Sequence, residues 1–241
     1  MIELAVAAAA VAAQFQPLCT LWVSEDGQIV VLTMMTETLS TIQEKKLKRG
    51  LSQAEGQRAQ EFYWPEDRRD YVVSHALLRM LLAEWLLYRP DGLIFSPDVE
   101  GGKPRLHNVG CRHIDFSLSH TNSLVAVTVA NNDRVGVDVE ALDRTLVSRF
   151  PELVCSVNEM RWLDGYAPQE KHNNMLRLWT LKEAVLKAVG YGLVCEPRFI
   201  EVSLDPPRLL SAPPSLVADR NWVLMQWRPT SRHVLALARG T

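Results

Sequence analysis

The sequence predicts an α+β protein built as two pseudo-twofold-related α/β halves, each a small, mainly antiparallel sheet packed on one long helix. Three observations predict it. The 241 residues suit either one large domain or two compact halves of about 120 residues. Two long helical patterns, at 67–88 and 175–189, fall one in each half. Short extended runs bounded by turn residues flank both of them. The element order repeats as strands, long helix, strands, with no direct sequence repeat behind it. The halves are expected at 1–130 and 131–241.

The elements follow in order. Residues 2–13 are apolar apart from Glu3 and end in small residues, like the core of an export signal. No Lys or Arg precedes them and the run is too short to span a bilayer, so a packed or frayed start to a cytoplasmic protein is expected. Residues 20–34 read as a hairpin around Asp26-Gly27. A polar helix over 38–49 ends in Lys45, Lys46, Lys48 and Arg49. Ser52 and Glu55 have capping-box spacing for a helix over 54–62. Tyr71, Val72, His75, Leu78, Leu82, Trp85 and Leu86 give the first long helix, stopped by Arg89-Pro90-Asp91-Gly92. A short strand at 93–95 and a Gly- and Pro-rich loop at 96–105 follow. Strands at 114–118, 124–130 and 134–140 read as an antiparallel meander. Residues 148–165 mix helix and loop. The second long helix is closed by Gly190 and Gly192, and strands at 200–204, 222–227 and 233–238 surround a Pro-rich loop at 206–214.

Charge and cysteines narrow the functional classes. Net charge is −2, so nucleic acid has no global electrostatic reason to bind. The four cysteines form no CxxC pair, which argues against a zinc site or a disulfide scaffold and for free thiols. No segment is long and apolar enough to cross a membrane.

Four strings carry chemistry. In Val135-Gly136-Val137-Asp138-Val139-Glu140, strand alternation puts the valines on a core face and both carboxylates on the other. Two like charges side by side suit a divalent cation with hard oxygen ligands, or else two solvated acids on an edge strand. In Trp179-Thr180-Leu181-Lys182-Glu183-Ala184-Val185-Leu186-Lys187, Glu183 and Lys187 share a helix face. They read as a surface ion pair, or as a third carboxylate and a phosphate-facing ammonium on a packed helix. Phe116-Ser117-Leu118-Ser119-His120 puts a polar pair at a strand end, functional or merely a turn. Gly101-Gly102-Lys103-Pro104-Arg105 can bring backbone N–H groups and an ammonium to a phosphate, but lacks the spacing of a Walker A loop.

Together, in this order, these strings resemble the 4′-phosphopantetheinyl transferases of the surfactin-synthetase-activating (Sfp-like) type. The resemblance covers residues 57–192 and implies a monomer that binds coenzyme A between its halves. It implies Mg2+-dependent transfer of the phosphopantetheine arm of coenzyme A to a serine of an apo acyl, peptidyl or aryl carrier protein, with release of adenosine 3′,5′-bisphosphate. By the same resemblance Asp138, Glu140 and Glu183 are magnesium ligands, and Lys187 is the catalytic lysine. Ser119, His120 and Lys103 contact coenzyme A, with His120 also at the reacting pyrophosphate, and Glu159 deprotonates the serine or supports the site. Arg58 matches one of the basic residues that hold the adenosine 3′-phosphate, and Arg69, with Arg68 close behind, matches the arginine expected at the head of the long helix, while Glu55 stands where the family has another basic residue and Cys155 where it commonly has an aromatic one. A magnesium-dependent phosphohydrolase of nucleotide-like substrates, or an inactive carrier-binding homologue, would use the same carboxylates. The basic run Lys45, Lys46, Lys48 and Arg49 is a candidate surface for an acidic carrier, or a solvated helix end that complements its dipole.

Overall fold

A computed structural model describes residues 2–98, 102–121, 123–190, 195–217 and 220–241. Asn122 of the expected turn, Gly101 of the basic loop and Gly192 of the expected helix stop lie outside the described residues. The chain forms two compact units. One joins Met1–Asp98 to Pro104–Asp133, and the other joins Arg134–Thr241 to the segment ending at Lys103.

The first unit begins with helix α1 (Leu4–Ala13), then the hairpin β1 (Cys19–Val23) and β2 (Ile29–Met35), whose turn places Gly27 at φ +67°. Helices α2 (Thr41–Gly50), α3 (Gln53–Gln60) and α4 (Pro65–Leu86) follow. The short pair β3 (Phe95–Pro97) and β4 (Pro104–Leu106) shifts the strand expected at 93–95 to begin at Phe95 and takes in both ends of the expected loop. The hairpin β5 (Ile114–Thr121) and β6 (Leu124–Asn131) completes a fully antiparallel sheet of order β1-β2-β6-β5. The central β6 is buried on both faces except at its last residue. Val73, Ala76, Leu77, Leu81 and Leu82 of α4 pack in one core with Val30, Leu32, Val125 and Val127.

Helix α1 packs on α4, β1 and β2, with Leu4, Ala7, Ala8, Val11 and Ala12 in the core. The apolar start is thus a core helix, and its alanines are small enough for close approach to α4. The capping box at Ser52 and Glu55 is formed as expected, and a second stands at Ser40 and Gln43. No helix among the described residues is long and apolar enough to cross a membrane. All four cysteines are unbridged, and burial pushes the Cys19 and Cys155 thiols up to about 12.

The second unit opens with β7 (Arg134–Ala141), then short helices α5 (Phe150–Val154) and α6 (Val157–Leu163), then the long α7 (Pro168–Val189). The hairpin β8 (Glu201–Leu204) and β9 (Pro207–Ser211), one turn of helix α8 (Pro214–Val217), and the hairpin β10 (Trp222–Thr230) and β11 (His233–Gly240) finish it. Its main sheet runs β10-β11-β7. Three sequence expectations change here. Strand β7 does not continue the meander: after Asn132, at φ +72°, the chain leaves β6 and β7 pairs with β11. Helix α7 starts seven residues before Met175, because Pro168 opens it and its exposed first turns carry no apolar period. The Pro-rich loop contains β9, whose one proline, Pro207, lies in a two-stranded hairpin rather than at a central position.

A buried charge fastens the first unit. Glu55 accepts from Ser52 N, from Arg79 Nε and, at 3.3 Å, shares a hydrogen bond with His75 Nδ1. Arg79 in turn donates to Pro90 O at 2.6 Å and Leu93 O at 3.0 Å, so α3, α4 and the approach to β3 close on one guanidinium. Burial alone would raise the Glu55 carboxyl, but the bonds from His75, Arg79 and Ser52 outweigh it and hold it at about 2. A depressed carboxyl contributes stability above its unfolded value and loses it as pH falls through its folded value. Glu55→Gln is therefore expected to cost on the order of 3 kcal/mol in urea unfolding at pH 7. The gap to the wild type should shrink steadily between pH 4.5 and pH 2. A gap that stayed constant with pH would contradict the ion pair.

Candidate active site

The site in the second unit starts from a glycine. On β7, Gly136 and Asp138 stand opposite Ala238 and Ala236 of β11, so this strip of the sheet is nearly free of bulk. Helix α7 lies on it with Ala184 and Ala188. A Cβ on Gly136 would sit 2.0 Å from Ala184 O and 2.4 Å from Ala188 N, both backbone atoms. Only glycine permits this approach. The sequence reading put the carboxylate face of β7 opposite the core face. The structure buries both faces: the valines are at most 1% exposed, and α7 covers the carboxylates.

The close approach brings Asp138, Glu140, Glu183 and Lys187 together. Lys187 Nζ donates to Asp138 Oδ1 at 2.8 Å. Glu140 Oε1 accepts from Trp179 Nε1 at 2.7 Å and from the Arg144 guanidinium. Burial, then the charges of Asp138 and Glu140, push the Glu183 carboxyl up to about 7 against the pull of Lys187 and Arg144. Burial also raises Glu140, with Asp138 adding to it. Glu183 Oε1 is buried without a hydrogen-bond partner. Among the described residues, no three or more His, Cys, Asp or Glu side chains are grouped so as to hold a metal ion, and Lys187 and Arg144 pair with two of the three carboxylates. The donor set nevertheless fits a hard divalent cation: three carboxylates, one with an unsatisfied buried oxygen and a raised pKa.

Lys103 belongs to the same unit. Its backbone N donates to Gly190 O, just past α7, and its Nζ to Val135 O at 2.7 Å. It is pinned between the end of α7 and the start of β7.

Glu159 is placed elsewhere. It is 4% exposed, and its Oε1 accepts from Val202 N at 3.0 Å. Its Oε2 accepts from Ser156 N at 2.7 Å and from the ammonium of Lys182, which is fully buried. Lys182 also donates to Val154 O at 2.7 Å and Pro197 O at 3.2 Å. This ion pair ties α5, α6, α7 and β8 together. Glu159 thus has both oxygens committed, which suits the supporting role that the resemblance offers beside deprotonation of the serine. The sequence reading overlooked Lys182, Arg144 and the indole of Trp179. Lys182 and Trp179 lie inside the string that drew attention to Glu183, but no spacing rule points to Arg144.

The remaining expected residues lie in the first unit. Strand β5 runs through Thr121, so Ser119 and His120 are strand residues opposite Ala126 and Val125, not a turn. Ser119 is buried and His120 exposed. Arg69 Nε lies 4.0 Å from Asp70 Oδ1, Thr36 Oγ1 donates to the same oxygen at 2.6 Å, and His120 acts on Asp70 electrostatically. Burial raises the Asp70 carboxyl despite all three. Asp70 and Thr36 form a polar knot that the sequence did not signal. Arg58 is exposed and pairs with Glu61.

Comparison with known proteins decides the family. Residues 134–238 match the 4′-phosphopantetheinyl transferase superfamily, and residues 40–132 match its N-terminal 4′-phosphopantetheinyl transferase module. The 4′-phosphopantetheinyl transferase HetI of Nostoc sp. is 32% identical over 197 residues, 78% of this chain and 78% of that protein. The chain belongs to the 4′-phosphopantetheinyl transferase family. A 4′-phosphopantetheinyl transferase of Bacillus subtilis is 24% identical over 66% of this chain and 69% of its own. A holo-(acyl-carrier-protein) synthase of Bacillus anthracis, solved with CoA (3′,5′-ADP), has a TM-score of 0.38 and 22% identity over 44% of this chain and 93% of its own, too slight a likeness to bear on the site. The expected enzyme type is borne out by the family.

The glycine carries a prediction of its own. Gly136→Ala is expected to lower stability by more than about 2 kcal/mol in chemical denaturation, because backbone must move. Gly56→Ala, where nothing lies within 4 Å, should cost nothing or stabilise slightly. Equal effects at the two positions would contradict the close approach.

Proposed function

We propose that this transferase moves the 4′-phosphopantetheine arm of coenzyme A to a serine hydroxyl of an apo carrier protein. The reaction depends on Mg2+ and releases adenosine 3′,5′-bisphosphate. The observation that carries this reading is the buried acid cluster of Asp138, Glu140 and Glu183 with Lys187 at its edge. A carboxylate oxygen buried without a partner costs free energy unless a cation arrives. Bound magnesium would supply charge neutralisation at the pyrophosphate.

The chain's own residues do the rest. Trp179 fixes the rotamer of Glu140, and the approach at Gly136 fixes Glu183 against Asp138. Lys187, partly exposed and held by Asp138, presents its ammonium to the phosphate oxygens as charge builds on the leaving group. Lys103, Ser119 and His120 contact coenzyme A in this reading. In this reading Arg58 takes the 3′-phosphate, and Arg69 contacts the cofactor from the head of α4. Glu159 holds the framework in this reading, and the serine proton passes to a water at the site. Most of the rate comes from charge and position prepared in advance. The partner is an acidic acyl, peptidyl or aryl carrier, for which the basic end of α2 is one docking surface. The enzyme acts in the cytoplasm as a monomer.

The test is intact mass spectrometry of an apo carrier incubated with the protein, coenzyme A and Mg2+. The carrier should gain one phosphopantetheine. Asp138→Ala, Glu183→Ala and Lys187→Ala should each lower the rate at least about 100-fold. Glu159→Gln should first lower the melting temperature. No mass gain across acyl, peptidyl and aryl carriers would contradict the reading, and cleavage of coenzyme A without a carrier would favour a phosphohydrolase.

A further inference from the structure

Two donors converge on one oxygen of Glu140, and they differ in kind. The indole N–H of Trp179 is neutral and orients the carboxylate, whereas the Arg144 guanidinium neutralises it. Arg144 is tethered four residues beyond Glu140, in the turn that closes behind β7, where its backbone N donates to Ala141 O at 3.1 Å. Its guanidinium carbon lies 5.7 Å from the centroid of the Phe150 ring, and that ring meets Trp179 edge-on at 5.2 Å. Arg144, Phe150, Trp179 and Glu140 thus form a closed ring of contacts. The Glu140 side chain is 8% exposed and that of Arg144 39%, so the cation can swing into solvent while the carboxylate stays.

A divalent ion and a guanidinium both seek this carboxylate. Lys187 cannot replace Arg144 here, because its ammonium is on Asp138. We infer that Arg144 is a tethered competitor of the divalent cation: it occupies Glu140 in the metal-free protein and sets how tightly the acid cluster holds its ion. This rests on the reading above that Asp138, Glu140 and Glu183 take a divalent cation. An ordinary stabilising ion pair would predict the opposite effect, since losing it would loosen Glu140 and weaken the site.

The experiment titrates the full chain with Mn2+ at low ionic strength and reads free Mn2+ by electron paramagnetic resonance. The wild type should bind one equivalent. Arg144→Gln, and Arg144→Met, which keeps the stem over Phe150, should bind it about 5- to 20-fold more tightly. Arg144→Lys, which keeps a cation, should stay near the wild type. The metal-free Arg144→Gln protein should melt below the wild type and gain more from Mn2+. Equal or weaker binding by both neutral variants, with the wild type holding one equivalent, would overturn the competitor role alone. An absence of specific Mn2+ binding in the wild type and the variants would overturn this role and the metal reading together.

Discussion

The second unit depends on one backbone contact. With no side chain at Gly136, the carbonyl of Ala184 and the amide of Ala188 come down onto β7. Alanines at 236 and 238 of the neighbouring strand keep the same strip low. Close backbone approach is usually a matter of packing alone. Here it also sets electrostatics, because helix residues one position before Ala184 and one before Ala188 are Glu183 and Lys187. The Lys187–Asp138 and Trp179–Glu140 contacts both follow from how near α7 lies to β7.

The same helix carries a buried ammonium and, next to it, a half-buried acid. Lys182 and Glu183 are adjacent, so about 100° of helical rotation separates them. Lys182 turns toward α5, α6 and β8, where Glu159 and two backbone carbonyls satisfy it. Glu183 turns toward β7, where one of its oxygens has no partner. A satisfied buried pair rigidifies, while an unsatisfied acid is poised for a ligand. The contrast between neighbours separates framework from function more clearly than the charge of either residue does.

Much of this was legible in the sequence. The Gly-x-Asp-x-Glu alternation and the Glu-x-x-x-Lys spacing put each pair on one face, because both depend on local periodicity alone, but it was the family resemblance that joined them into one cluster. The capping box at Ser52 was legible for the same reason. The β7 partner was not, since pairing with β11 joins segments about a hundred residues apart. Nor was the role of Glu159: spacing cannot tell a carboxylate facing substrate from one facing a buried lysine. Arg144 was invisible because its partner sits across a strand end, outside any helical or strand period. The apolar N-terminus was ambiguous for a plainer reason, as a core helix and an export signal share composition.

The central claim is that α7, resting on Gly136, carries Glu183 to Asp138 and Glu140 so that the three share one cation. The most direct measurement is a crystal grown with Mn2+ and coenzyme A, with the ion located by anomalous scattering. The account predicts one strong peak ligated by Asp138, Glu140 and Glu183, with the Lys187 ammonium beside the pyrophosphate. A peak held by other residues, or Glu183 turned away from an ion bound to Asp138, would contradict it.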